Sequence, residues 1–486
     1  MAAAWLALAA AAVSTPAGVL QPNELTSQST SSAVGWTQIF NGNMPIGRTA
    51  SSMCTGAFGI LVFGGGVHEH RFTDETWLLP ALGGSWRLIA TPEGRPHPRA
   101  RAVAGMARYG SGCIMYGGVG RTQGTNVSFP EFDLLDETWQ WTPDGGWVEL
   151  TPPNTPPPRF YHTLKELSDG SLFLYGGRTS LFGTAAVSMG DTWSFRDGAW
   201  SPMNMLVEVP EAAQTPMMRR DGFNLRNTPP PRWGQAMACN LSNTGPALSN
   251  SLTGYGKVEC VMFGGSQVAD DDYFSDTWLL KVATDENGTV ASPRAYFWDQ
   301  QNSRVQPHGR WSFMMATCGS RALFLGGSTD FRVSADETWV WEPVTRVVEL
   351  PDHPPSRLGE WRRLYGTDPI NDGEYGSAGR PALAGPVRIA GYALANVGAV
   401  GASDIVLFGG AKNQSGGGFA HKGWETSEMW RWPCSAEEWP EAVIASPPMP
   451  PSPPPPPFFP PGEYTGGRHG VPQWYEPPEE TPPPEP

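Results

Sequence analysis

Six short apolar runs punctuate the chain, and each is closed by two glycines. They read ILVFGG to Gly65, CIMYGG to Gly118, LFLYGG to Gly177, CVMFGG to Gly265, ALFLGG to Gly327 and IVLFGG to Gly410. A continuous apolar run this short, bounded by turn residues, predicts a strand buried on both faces. The paired glycines permit a sharp turn at φ values that other residues resist. A polar loop of variable length follows each pair. The chain then returns to apolar character in TWLL, TWQW, TWSF, TWLL, TWVW and MWRW, and an acidic residue stands just before each. Three of these segments open with Asp-Glu-Thr-Trp, at residues 74, 136 and 336. The others open with GDTW at Gly190, SDTW at Ser275 and SEMW at Ser427.

A short turn and a second Trp strand come next, as in Trp86, Trp147 and Trp200. The fifth unit is expected to end instead in RVVEL at 346–350, without the Trp. A Pro-rich connection then leads to an arginine, at Arg48, Arg99, Arg159, Arg232, Arg310 and Arg388, and to one further strand before the next Gly-Gly. Four strands per unit, six times over, predict an all-β, six-bladed propeller across residues 35–440. Insertions at 202–228 and 351–387 lengthen two of the connections.

Apolar run, Gly-Gly, loop, Asp-x-Trp, turn, Trp and Pro-Arg together resemble the kelch repeat, over roughly residues 36 to 432. The resemblance implies a kelch-type β-propeller. In such a blade the starts of strands one and three share a face. Asp74, Asp136, Asp191, Asp276 and Asp336 are therefore expected to meet the repeat arginines there through charge-assisted hydrogen bonds. The Trp residues are expected to fill the spaces between blades. The sixth unit lacks a fourth strand after Trp432, and GWTQIF at 35–40 is a spare one. The N-terminal strand is thus expected to complete blade six and remove an open sheet edge.

Composition narrows the function classes. The net charge of −14, with 16% charged residues, offers no basic footprint for nucleic acid. Residues 1–18 begin with an apolar stretch of signal-peptide length, too short to span a bilayer, although no Lys or Arg precedes it. The expectation is a secreted or surface protein, with a cytoplasmic adaptor as the alternative. Of six cysteines, Cys113 is expected to be a buried free thiol, and Cys239–Cys260 is a possible bridge in an oxidising compartment. Sequons at Asn126, Asn240, Asn287 and Asn413 give weak support for a glycoprotein. The tail at 446–486 is proline-rich and is expected to be an extended polyproline II spacer without a core. It resembles the hydroxyproline-rich linkers of plant and green-algal surface proteins.

Candidate chemistry is sparse. Copper radical oxidases and iron-dependent specifier proteins resemble this architecture, but their ligand sets find no counterpart in the sequence. His68, His70 and His421 are weak metal candidates, as loops of adjacent blades could bring three imidazoles together. The plainer reading is three solvated loop histidines, and no cofactor is expected. ADDDYFSD at 269–276 is dense in carboxylates but lacks the Gly-turned loop of a Ca²⁺ site. Arg159, Phe160, Tyr161, Arg232, Trp233, Arg310 and Trp311 open the inner strands near one mouth of the channel. Their aromatic faces suit a peptide or sugar, or pack between blades. The leading expectation is an interaction module that binds a protein or glycan through loops on one face. The alternative is a metal-dependent enzyme with its site at the axial mouth.

Overall fold

A computed structural model describes residues 35–434 except 40–41, 68–70, 122–131, 181–186, 207–227, 242–255, 268–272, 285–288, 291, 302, 304, 331–332, 335–336, 344–357, 366–385, 387–388, 398–403 and 413–424. The chain divides into two units, 1–449 and 450–486, and the second lies outside the described residues. So do the leader, the tail from 446, and Asn126, Asn287 and Asn413.

The described residues contain strands and no helix. Six four-stranded antiparallel sheets follow one another along the chain. The first joins Ser52–Gly56, Gly59–Phe63, Thr76–Leu79 and Arg87–Ile89. The second joins Gly105–Tyr109, Gly112–Tyr116, Thr138–Thr142 and Gly146–Leu150. The third joins Thr163–Glu166, Leu172–Tyr175, Thr192–Arg196 and Ala199–Pro202. The fourth joins Ala236–Cys239, Lys257–Phe263, Thr277–Val282 and Tyr296–Gln301. The fifth joins Met315–Cys318, Arg321–Leu325, Thr338–Pro343 and Gly359–Tyr365. In the sixth, Ala393–Val397, Asp404–Phe408 and Met429–Trp432 are joined by Thr37–Ile39 from the start of the described chain. Thr37 pairs with Arg431 and Ile39 with Met429.

The second strand of each sheet is the apolar run, and it is fully buried because neighbouring sheets cover both its faces. The Gly-Gly pairs that end these runs all take positive φ. A Cβ on Gly64, Gly117, Gly176, Gly264 or Gly409 would meet the carbonyl oxygen of an arginine in the next sheet at 2.5–2.7 Å. The second glycine of each pair donates its N–H to that same position. Gly65 bonds Arg101, Gly118 bonds Arg159, Gly177 bonds Arg232 and Gly265 bonds Arg310, all at 2.8–2.9 Å. Gly327 bonds Ile389 at 3.0 Å and Gly410 bonds Arg48 at 2.8 Å.

Tryptophans carry a second link between sheets. A fourth-strand indole donates to the threonine hydroxyl that opens the third strand of the preceding sheet. Trp147 reaches Thr76, Trp200 reaches Thr138 and Trp361 reaches Thr277, at 2.8–2.9 Å. Trp36 stands in the same relation to Thr338, at 3.2 Å. Trp86 shows the rule by exception. Its counterpart acceptor position is Met429, and its buried indole N–H has no hydrogen-bond partner.

Two expectations about strands and cysteines are corrected. The fifth sheet does have its fourth-strand tryptophan: Trp361, opposite Trp341 in Gly359–Tyr365. This strand lies inside the segment read as an insertion, and RVVEL at 346–350 lies outside the described residues. Cys113 is no free thiol. It is bonded to Cys54, joining the first two sheets, and Cys318–Cys434 joins the fifth and sixth. Cys239–Cys260 bridges directly opposed residues of the fourth sheet. Sequence distance hides the first two bridges, whereas the third lies within one hairpin.

Candidate functional site

In five of the six units an acidic residue and an arginine do meet: Asp191 and Asp276 are partners as expected, whereas in the Asp-Glu-Thr-Trp copies the Glu takes the place expected of the Asp. The partner is the residue directly before Thr, two before Trp. It is Glu in the Asp-Glu-Thr-Trp copies and Asp in the others. Arg48 pairs with Glu75 at 2.7 Å, Arg159 with Asp191 at 2.6 Å, Arg232 with Asp276 at 2.6 Å and Arg310 with Glu337 at 2.5 Å. Asp74 and Asp136 are not the partners, and Asp336 lies outside the described residues. In the second unit Arg101 fills the buried place and forms an ion pair with Glu137 at 2.8 Å. Arg99, one-third exposed, pairs with Asp133 at 2.7 Å and lies 3.7 Å from Glu137. Arg388 lies outside the described residues, and Ile389 holds the equivalent register in the sixth sheet.

Each buried guanidinium is occupied by the scaffold. Arg159, Arg232 and Arg310 are fully buried. Each donates through Nε to the carbonyl two residues earlier and through Nη1 to the first glycine of its own Gly-Gly. The acid closes the set and also accepts from a Trp indole, as Asp276 does from Trp278 at 2.7 Å. These bonds lower the Asp191 carboxyl despite an opposing desolvation cost. The geometry assigns these arginines to holding strands together.

Two residues beyond each arginine register the backbone turns through positive φ. Ala50, Val103, Tyr161, Gly234, Ser312 and Gly391 take φ of 52° to 68°. For a β-branched residue such as Val103 this is strained. These residues bond one another across sheets. Val103 donates to Ala50, Tyr161 to Val103, Gly234 to Tyr161, Gly391 to Ser312 and Ala50 to Gly391, at 2.6–3.3 Å.

The aromatic candidates gather on this backbone. Tyr161 lies 5.4 Å from Trp233 and 5.6 Å from Trp311, ring centre to ring centre. Trp233 and Trp311 are 5.0 Å apart, and Phe160 is 5.3 Å from Tyr161. The Arg178 guanidinium sits 4.6 Å over Trp233. Phe160, Trp233 and Trp311 are buried, and Tyr161 is half-buried. Sequence reading did not single out Arg178, which stands directly after the third Gly-Gly.

Behind this cluster the first strands of the six sheets line a cavity of about 110 Å³, and then a wider one of about 440 Å³. Met53, Met106, Leu164, Lys165, Met314 and Met315 line both. Thr55, Arg108, Glu166, Asn240, Thr317 and Asn396 line the wider one with polar groups. Asn240 donates its side-chain amide to the Glu166 carbonyl at 3.0 Å.

His162 lies beside Tyr161, its ring against Tyr116. Burial, reinforced by Arg159, pushes its pKa down to about 3 from 6.5. The unfolded chain therefore takes up a proton near pH 6.5 that the folded chain refuses until about 3. The stability this group contributes is complete above pH 6.5 and is lost as pH falls, by up to about 1.4 kcal/mol per unit. His97, half-buried, is lowered too and adds the same sign. The fourth sheet has Gln235 at the equivalent place, where it bonds the Tyr175 carbonyl. His162→Gln is expected to flatten the fall in stability between pH 6.5 and 4.5, measured by urea melts. An unchanged slope would contradict the assignment.

His68, His70 and His421 lie outside the described residues, as do 269–272 of the acidic stretch 269–276. Among the described residues no group of three or more His, Cys, Asp or Glu is placed to hold a metal ion. No helix there is long and apolar enough to cross a membrane.

No family model matches the chain. It is 23% identical over 324 residues to an F-box/kelch-repeat protein of Arabidopsis thaliana, covering 62% of this chain and 56% of that one. Human host cell factor 1 is 26% identical over 167 residues, which is 32% of this chain and 8% of that one. The dynein alpha chain of the Chlamydomonas reinhardtii flagellar outer arm is 32% identical over 101 residues, covering 20% and 2%. The chain thus spans about half the length of the first relative and far less of the others. A solved structure of YjhT aligns with a TM-score of 0.48 at 11% identity, covering 77% of this chain and 94% of that one. With the repeat pattern on the sequence and the four-stranded sheets it encodes, kelch-repeat proteins are this chain's homologues.

Proposed function

We propose that the chain is a closed, six-bladed kelch propeller that binds another protein through loops on one face. The observation that carries the reading is where length varies. Antiparallel order puts the loops after each Gly-Gly and the connections before each arginine register at one face. The former run from 64–75 in the first sheet to 117–137 in the second, and the long connections 203–235 and 366–392 open there too. The scaffold beneath repeats almost unchanged, so the differences between sheets concentrate where a partner would be read. The kelch-repeat homologues support an interaction role.

Closure is supported by the Gly-Gly bonds, which step from each sheet to the next and return from Gly410 to Arg48. Pairing of Thr37–Ile39 with Met429–Trp432 supports it as well. Three disulfides support an oxidising compartment, and so a secreted or surface-displayed protein. The test is a peptide, protein and glycan binding screen with secreted protein, run beside metal analysis. A protein ligand should be lost when 122–130 and 413–420 are replaced by short Gly/Ser loops, with the melting temperature kept. Binding untouched by both replacements, or stoichiometric copper or iron, would sink the reading. A glycan as sole ligand would replace the partner class.

A further inference from the structure

The chain has five lysines, at 165, 257, 281, 412 and 422, and two of them, Lys281 and the half-buried Lys165, are treated in opposite ways. Lys281 is buried with Asp299, its Nζ 2.5 Å from a carboxylate oxygen, and the pair is closed. Lys165 lines the axial cavity, and its Nζ donates to the Met315 carbonyl at 3.3 Å. The charged groups nearest it along the wall are Arg108 and Glu166. These engage each other through two bonds, of 2.9 and 3.1 Å. The first strands of the other sheets bring Met53, Ala238, Met314 and Leu394 to the same cavity, with no acid among them. An ammonium held there is partly shielded from water and gains no counter-charge, which favours the neutral amine.

We propose that Lys165 is a nucleophilic amine that captures small aldehydes in the axial cavity as imines. The amine nitrogen bonds to the carbonyl carbon, giving a carbinolamine. Its hydroxyl then leaves as water, carrying protons that came from the amine and solvent, and a C=N bond remains. The step needs no oxidant or reductant, and hydrolysis reverses it. Desolvation in an apolar pocket is a recognised route to a reactive lysine. The wider cavity, about 440 Å³, accommodates an aldehyde of a few carbons. Burial lowers the Lys165 pKa to about 8, so a useful fraction is neutral at physiological pH.

The proposal does not depend on the protein-binding face. The full-length protein would be treated at pH 7.4 with propionaldehyde and sodium cyanoborohydride, which traps imines as stable secondary amines. Peptide mass spectrometry then reads each lysine and the α-amino group separately. Lys165 is expected to be alkylated at least tenfold faster than Lys257, at a rate that rises through pH 8. Lys281 is expected to stay unmodified. Lys165→Arg keeps a cation but no nucleophile, and its propionaldehyde uptake should fall to the level of the other sites. Labelling of Lys165 no faster than Lys257 overturns the proposal, whether through inaccessibility or low reactivity. The wild-type measurement decides even if the variant folds poorly.

Discussion

Replacing Arg310 with methionine is expected to cost about 3–5 kcal/mol of stability, the penalty for stranding one half of a buried ion pair. Glu337 is only 1% exposed, and its second guanidinium neighbour, Arg363, is 3.9 Å away. The change also removes the donors to His308 and Gly326 carbonyls. Arg310→Met/Glu337→Gln should recover part of the loss, since glutamine needs no counter-charge. Arg99→Ala is the control. Its side chain is 35% exposed, and its loss should cost under about 1 kcal/mol. Urea melts of the four proteins test this. Equal losses for Arg310 and Arg99 would refute the division into buried pins and surface pairs.

Trp36→Ala should be comparably damaging, about 3–5 kcal/mol by the measure of large-to-small core changes. Trp36 is 5% exposed, packs edge-on against Trp432 at 5.6 Å and donates to Thr338 in the neighbouring sheet. Trp36→Phe keeps most of the packing and loses the donor, so a smaller loss is expected. Deleting 33–41 should lower the melting temperature of the whole repeat array in one transition. Deleting 446–486, a stretch too proline-rich and polar to build a core, should change it little. A separate early transition in the N-terminal deletion would show that Thr37–Ile39 holds only its own sheet.

Periodicity alone located the six apolar strands, because their burial on both faces leaves an uninterrupted apolar run that survives any change of loop. The pairing of acid with arginine was also legible in kind. It held for Asp191 and Asp276 and was misplaced by one residue only in the Asp-Glu-Thr-Trp copies, where two carboxylates stand in a row and only the shorter Asp-Thr-Trp copies show which one counts. The same ambiguity hid Arg101 behind Arg99. Counting back from the positive-φ residue separates them, but that residue has no fixed identity: it is Ala, Val, Tyr, Gly, Ser and Gly in turn. Trp361 was missed because a long insertion displaced it from the expected spacing. Lys165 was invisible for a different reason. A lone lysine on a strand carries no pattern, and what distinguishes it is the absence of an acid on five other strands.

The two outermost points of the described chain differ in how they would bear a mechanical load. Thr37–Ile39 and Met429–Trp432 run antiparallel, so a pull on the N-terminal side and one on the C-terminal side enter at the same end of that pairing. Such a pull peels rungs one at a time instead of shearing them together. From the C-terminal side, however, tension meets Cys434 first, and Cys434 is covalently bound to Cys318 in the fifth sheet. Force arriving that way passes into the fifth sheet before it reaches the Trp432 strand. From the N-terminal side it falls on three backbone pairs and one indole. Under tension the chain should therefore open from its N-terminal strand, and reducing the Cys318–Cys434 bridge should expose the other flank of the same seam.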